Sequence, residues 1–367
     1  MQRLPIEVVF WLATAGFVGI SELLLRGESV ATGQRCVDRA ERRLLLVGLV
    51  LFAAAGCDRF DKVGPPSKQI VVAQAQVPHS LLPMVAKKVG SFNGEGLDVI
   101  IKEFATGDDS LKELLGKRAD FATVRDVDVM RACLAGEPVL VVATIMRSPV
   151  STKILARRDK GVDRPRDLRG KALGTLKNSG AEYFLARFLK RNCVPPREVR
   201  ITRAQPSELV QAIVRGDLAA ISLGEPFMFN AICELGDKGL VFTDGSLYVE
   251  TFHIAVTKEY AESNATSIDN FLRALDVAAD VAKADPDTAK RIAAGASSIS
   301  REAMDHFWLT FRFDLSMHEE TVDQIRALAQ FQAEMEGGPA GPQEPDYPAI
   351  FACEFLRRVC PERVTPR

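Results

Sequence analysis

The sequence predicts an α/β chain made of two units and closed by a helical C-terminal region. Three observations carry this. Short β-branched runs alternate with helical patterns from Gln69 to Ile145, the same alternation restarts at Ser151 and continues to Leu223, and from Ile268 onward the periodicity is helical with little strand character. Composition fits: of 367 residues, 47% are hydrophobic and 26% charged, which is ordinary for a globular protein and argues against disorder. One domain per roughly 150 residues gives about two domains as a prior. Lys and Arg (47) balance Asp and Glu (48), so no basic field exists to track phosphates, and nucleic acid is not an expected partner.

The elements follow in order. Gln69 to Ala73 reads as a strand, followed by a loop with Pro78 and Ser80 and a helical pattern to Val89. Leu97 to Lys102 is the next strand, Asp108 to Leu115 a helix capped at Asp108 or Asp109, and Asp120 to Val124 a third strand. Asp126 to Ala135 is a helix stopped by Gly136, and the nearly all-apolar Pro138 to Ile145 reads as a strand buried on both faces of a parallel sheet. In the second unit, strands are expected at Lys153 to Ala156, Lys171 to Thr175, Val199 to Thr202 and Ala219 to Leu223, with helices at Glu182 to Arg191 and Ser207 to Arg215. Phe252 to Thr257 is a further strand. Helices then follow at Ile268 to Ala284, Pro286 to Ala294, Arg301 to Thr310 and Glu319 to Gln332.

Upstream of these units the chain carries an address. Arg42 and Arg43, the apolar run Leu44 to Ala55 and then Gly56-Cys57 have the order of a charged segment, an apolar core and small residues before a cleavage point. The run is short against the roughly 20 residues a transmembrane helix needs. Ala54-Ala55-Gly56-Cys57 resembles the lipobox of bacterial lipoproteins, with Ala54 where that motif prefers Leu, which implies lipidation at Cys57; a plain secretory signal or short anchor is the alternative. The apolar segment Val8 to Leu25 further upstream is either a transmembrane helix or the product of a start placed too early, the latter being the favoured reading. Asp58 to Lys68, with Gly64-Pro65-Pro66, reads as a stiff tether.

Seven cysteines contain no C-x-x-C pair, and His79, His253, His306 and His318 stand in no metal-ligand spacing, so no metal or cofactor is expected. Signatures of hydrolases, zinc peptidases and nucleotide-binding loops are missing as well, which puts binding ahead of catalysis. After cleavage at Cys57 five cysteines remain, an odd number. Cys353 and Cys360 lie about 10.5 Å apart on an unbroken helix, too far for a disulfide unless the helix stops before Pro361.

A set of short motifs in register then points to a family. It comprises Ile70-Val71-Val72, Gly90-Ser91-Phe92, Glu95-Gly96-Leu97-Asp98-Val99, Gly107, Leu115-Gly116, Ala119-Asp120-Phe121-Ala122, Ala135-Gly136, Asp167-Leu168-Arg169-Gly170-Lys171, Lys177-Asn178-Ser179-Gly180, Gly216-Asp217-Leu218-Ala219-Ala220 and Glu225-Pro226. Over Gln69 to Ala333 the chain resembles the solute-binding proteins of sulfonate, nitrate and taurine type, which include pyrimidine-precursor binders. The resemblance implies a two-lobed periplasmic-binding-protein fold (type II-like), each lobe an α/β sheet, with a C-terminal helical cap. It implies lobe 1 at 69–148 and 250–336, lobe 2 at 149–249, and a linker and tail at 337–367, with Gly337 to Pro342 as the linker.

Open sheets bind ligands beyond the carboxyl ends of their strands, and interfaces between lobes are favoured pocket sites. Gln76, His79 and Ser80 after the first strand, Thr106 after the second, Arg125 and Asp126 after the third, and Ser148 therefore become candidates on lobe 1. On lobe 2 they are Asn178, Ser179, Gly180 and Glu225. Ser179 either presents its hydroxyl and the following backbone amides to an anion or is only a helix N-cap. Arg125 either reads a carboxylate or sulfonate bidentately or pairs with Asp126 or Asp128. Glu225 either lines the cleft or serves as a salt-bridge partner at the hinge, and His79 is either a ligand donor or a solvent-facing loop residue.

The resemblance implies a monomeric lipoprotein on the periplasmic side of the bacterial inner membrane, receiving a small-molecule ligand for an ABC transporter permease and doing no chemistry. Two alternatives stand beside it. One is a sensor or scaffold lipoprotein without a transporter. The other is a pyrimidine-synthesis enzyme of the same fold, which uses a lysine and a histidine after the third strand, whereas Val124 to Gly136 contains neither.

Overall fold

The computed structural model describes residues 68–296, 299–336 and 345–365. The leader, Cys57 and most of the expected tether lie outside them, and no helix among the described residues is long and apolar enough to cross a membrane.

The first sheet is built from β1 (Lys68–Ala75), β2 (Leu97–Phe104), β3 (Phe121–Arg125) and β4 (Val139–Ser148), joined by α1 (Leu81–Val89), α2 (Ser91–Gly94), α3 (Gly107–Leu115) and α4 (Asp126–Leu134). The second uses β5 (Lys153–Arg157), β6 (Ala172–Thr175), β7 (Arg200–Arg203), β8 (Ala220–Leu223) and β9 (Gly239–Phe242), with α5 (Gly180–Arg191), α6 (Pro206–Arg215) and α7 (Phe227–Leu235). The chain then returns to the first sheet as β10 (Glu250–Thr257). A helical region follows: α8 (Lys258–Ser263), α9 (Ala265–Ala284), α10 (Pro286–Ala296), α11 (Arg301–Trp308), α12 (Glu319–Glu336) and α13 (Cys353–Val359).

Strand order is β2-β1-β3-β10-β4 in one sheet and β7-β6-β8-β5-β9 in the other. The two orders are the same topology. In each, three parallel strands are followed by one running antiparallel to both neighbours, β10 between β3 and β4, and β5 between β8 and β9. Each antiparallel strand is the one that enters its sheet directly from a crossing, through 149–152 or 243–249. The reading of Pro138 to Ile145 as a fully parallel strand is therefore corrected. β4 is almost entirely buried, but it pairs antiparallel with β10, and single bridges from Val141 to Phe351, Thr144 to Ser316 and Arg147 to Arg312 line its other edge. Those bridges, and not a further strand, line the second edge of β4.

Local chemistry sets the element ends. Gly90 closes α1 in the left-handed region at φ 77°, and Thr106 and Ser179 cap α3 and α5 by accepting the amide N–H of Asp109 and Glu182. The core of the first sheet centres on stacked Phe92, Phe271 and Phe121, with centroids 5.0 and 4.0 Å apart. The helices after β10 cover this core, α9 against α1 and α12 against α4. The last segment is more than a tail. Ala352 donates its N–H to Val141, and Phe355 and Leu356 of α13 are buried. α13 stops at Cys360, and no disulfide joins any two of the five described cysteines. Burial pushes the Cys360 thiol up to about 11.

Candidate functional site at the crossings

Three polar clusters gather where β3, β4, β8 and the two crossings meet. The first is centred on Asp126, the N-terminal residue of α4. Its side chain is buried, and it accepts both Tyr248 Oη–H (3.0 and 2.8 Å to the two carboxylate oxygens) and Gln324 Nε2–H (3.0 Å), while the Val127 N–H lies at 2.7 Å. All three donors are neutral. Burial, and then the negative Glu250 nearby, push the Asp126 carboxyl up to about 7. The same burial and the carboxylates of Asp126 and Glu250 hold the Tyr248 phenol well above its ordinary range.

Tyr248 belongs to the second crossing, and it reaches lobe 2 as well as lobe 1. A Cβ added to Gly180 would lie 2.2 Å from its hydroxyl, so only glycine lets the start of α5 come this close to the ring. Tyr183 of α5 packs edge-on against Tyr248 (5.8 Å) and against Phe331 of α12 (5.4 Å). Asp126, Tyr248 and Gly180 thus join a first-sheet helix, a crossing and a second-sheet helix.

The second cluster holds His79 and Glu250. His79 is not a solvent-facing loop residue: it is buried in the 3-10 turn Pro78–Ser80 beside Phe311 (4.6 Å) and stacked on Phe252 (5.7 Å). Its Nε2 is 3.4 Å from Ser151 Oγ and 3.8 Å from Glu250 Oε2, and Thr152 Oγ1–H donates to that same oxygen at 3.4 Å. Burial lowers the His79 pKa against the pull of Glu250, so the ring is neutral at neutral pH. The imidazole Nδ1 has no hydrogen-bond partner among the described residues.

In the third cluster Glu225 accepts Lys153 Nζ–H at 2.7 Å and the Phe229 N–H at 2.9 Å, with both charged side chains buried and His306 Nε2 3.6 Å away. Of the two readings of Glu225, the geometry shows the salt-bridge partner. Arg125 likewise pairs with Asp128 (Nε 3.2 Å, Nη2 3.3 Å). Burial opposes its charge, but Asp128 prevails and holds the guanidinium above its usual value. Buried Asp128 is shared with Arg131, and its carboxylate fills the space a Cβ on Gly107 would take, 2.4 Å away.

The remaining candidates are placed as follows. Ser80 is buried and its hydroxyl donates to the Val77 carbonyl at 2.9 Å; Ser148 is buried and accepts the Val150 N–H at 3.4 Å. Gln76 and Thr106 are exposed at the ends of β1 and β2, and Thr106 is the cap of α3. Ser179 donates to the Leu176 carbonyl at 2.6 Å as well as capping α5. Exposed Asn178 takes a left-handed φ of 52° and donates its N–H to Glu182, itself paired with Arg203. The positive end of α5 is thereby already faced by a carboxylate.

The sequence reading missed Tyr248, Glu250, Lys153 and Gln324. The first three had a signal, since they sit within a few residues of the lobe boundaries expected at 148/149 and 249/250. Gln324 had none, being one polar residue on an amphipathic helix. Among the described residues no three His, Cys, Asp or Glu side chains cluster as a metal site. What the described residues at the crossings offer is a set of carboxylates and hydroxyls from both sheets, with the guanidinium groups of Arg125 and Arg131 and the ammonium of Lys153.

Comparison with known proteins adds the family. A putative aliphatic sulfonates-binding protein of Bacillus subtilis (strain 168) is 25% identical over 244 residues, 65% of this chain and 73% of that protein. A protein of the same description from Escherichia coli (strain K12) is 24% identical over 172 residues, 46% of this chain and 53% of its own length. Among solved structures, the periplasmic aliphatic sulphonate binding protein SsuA from Escherichia coli superposes with a TM-score of 0.68 at 17% identity, covering 78% of this chain and 91% of its own. The alkanesulfonate-binding protein SsuA from Xanthomonas axonopodis pv. citri, bound to MOPS, gives 0.62 at 16% identity, with 78% and 99% covered. These likenesses carry the two-lobed periplasmic-binding-protein fold. The family model described as NMT1/THI5 like matches residues 78–289, more than half of the chain, and the protein belongs to that family.

Proposed function

We propose that this protein is the extracytoplasmic receptor of an ABC importer, taking a small polar or anionic organic solute between its two lobes and closing on it like a hinge. The observation that carries the reading is the doubled five-stranded topology joined by two crossings, with Asp126, Tyr248 and Gly180 drawing both lobes and a crossing to one place. The relatives described as sulfonate-binding proteins support an organic anion of that kind as the solute. Arg125 would meet it by exchanging one oxygen of Asp128 for the ligand. Binding energy would come from the ligand's preference for the closed state. The lobes are those of the sequence reading, 69–148 with 250–336 and 149–249. Cys57 carries the lipid, and the receptor stands on the periplasmic side of the inner membrane.

The relatives described as binding proteins support a binder that leaves its ligand unchanged. A thermal-shift screen of alkanesulfonates, taurine, nitrate, pyrimidines and amino acids tests the reading, because a ligand specific to the native state adds RT ln(1 + [L]/Kd) to stability. A hit should also lower the radius of gyration in solution scattering. Turnover of that ligand, or an unchanged scattering curve at saturation, overturns the proposal. Cys57→Ala should release the protein from membranes, and retention at high salt would move the anchor to Val8 to Leu25.

A further inference from the structure

A groove lies apart from the crossings, on the α1 face of the first sheet. It has a volume of about 690 Å3 and is lined by Met84, Lys87 and Lys88 of α1, Ile101 and Glu103 of β2, and Arg291, Ile292 and Gly295 of α10. That volume is in the range of small-ligand pockets. The floor is aliphatic: Ile101 of the strand, and Met84 and Ile292 from the two helices, are all half-buried. The rim is cationic on the helical side, where Lys87, Lys88 and Arg291 are exposed, and carries one carboxylate, Glu103, on the strand side. Among the described residues neither Lys87 nor Lys88 has a carboxylate within ion-pair distance, whereas Lys290, next to Arg291 on α10, pairs with Asp305 at 2.8 Å. Arg291 donates to the Thr288 hydroxyl, 2.6 Å away, and has no carboxylate within ion-pair distance among the described residues.

Three cations facing an apolar trough, with a single carboxylate opposite, select a head-and-tail molecule. We infer that this groove binds one medium-length alkyl chain ending in an anionic head, with the chain on Met84, Ile101 and Ile292 and the head between Lys87, Lys88 and Arg291. Glu103 repels the head from the strand side, which fixes the orientation. A chain of eight to ten carbons would gain affinity with each methylene it buries, so the floor supplies affinity and the rim supplies sign. None of the groove residues is among the candidates at the crossings, so the site stands or falls without the proposed receptor function.

The test is isothermal titration of the full-length protein with decanoate, with decanol as the uncharged control. Saturable binding of one decanoate is expected, at least tenfold tighter than decanol. Two variants locate it. A Cβ at Gly295 would meet nothing within 4 Å, so Gly295→Phe fills the groove without displacing its neighbours and should abolish binding while melting stays within a few degrees. Lys87→Glu with Lys88→Glu should weaken decanoate at least tenfold and leave decanol unchanged. Decanoate binding that survives both variants, decanol binding as tightly as decanoate, or association with phosphatidylglycerol vesicles in place of monomeric decanoate would each overturn the inference.

Discussion

Two carboxylates occupy matching places in the two sheets, Asp126 just beyond β3 and Glu225 just beyond β8, and the protein satisfies them differently. In lobe 1 the partners are neutral, a phenol, an amide and a backbone N–H, and the carboxyl is pushed up to about 7. In lobe 2 the partner is the buried ammonium of Lys153, 2.7 Å away. The same backbone position therefore becomes a titrating hydrogen-bond hub in one lobe and an ion pair in the other. The choice is made by residues far away in the chain, so topology alone does not assign chemistry to a strand end.

The largest test of this contrast is Lys153→Met, which strands Glu225 as a buried charge. Breaking such a pair typically costs about 3–5 kcal/mol. Denaturant unfolding should show that loss, and adding Glu225→Gln should recover most of it; a double variant as unstable as the single one would mean that Lys153 matters through packing.

Asp126 should respond to pH where Glu225 is tied to a lysine. Its folded pKa, about 7, stands above the roughly 3.9 of an unfolded aspartate, so the folded state holds the proton more tightly. Stability from this group is fully present below about pH 4 and is lost as pH rises toward 7 and through it, a change on the order of a few kcal/mol. Asp126→Asn should flatten that part of the stability–pH curve. A curve of unchanged slope would remove the contrast between the lobes.

Gly180→Ala is expected to cost about 1–3 kcal/mol, the usual range for overpacking, because the new Cβ drives Tyr248 off its position against Asp126. It should also shift the pH dependence assigned to Asp126, which a purely local helix effect would leave alone. The smallest effect belongs to Tyr248→Phe. Losing one hydrogen bond to a buried acceptor should cost about 1 kcal/mol at neutral pH, because Gln324 and the Val127 N–H remain. Equal losses from Tyr248→Phe and Lys153→Met would show that the two carboxylates are held alike.

Much of this architecture was legible because it is local. Strand and helix periods and the cap at Ser179 are written within a few residues of where they act, and the alternation of β and α segments follows from them, whereas α3 starts earlier than expected and is capped by Thr106 in place of Asp108 or Asp109. The alternative offered for Arg125 was also local, a pairing with Asp128 three residues on, whereas the partner of Glu225, Lys153, lies 72 residues away and was not named. Other features were decided only in three dimensions. The antiparallel direction of β4 against β10 depends on which sheet a returning chain joins, and an apolar run does not record direction. Tyr248 and Gln324 meet Asp126 across 122 and 198 residues, and no periodicity links a buried acceptor to donors that far away. The sequence by itself determined which segments fold as strands and helices, because those preferences are set by neighbouring residues. Tertiary structure alone decided which buried polar groups face each other, and so which carboxylate titrates, because that pairing depends on where the whole chain brings each group out of water.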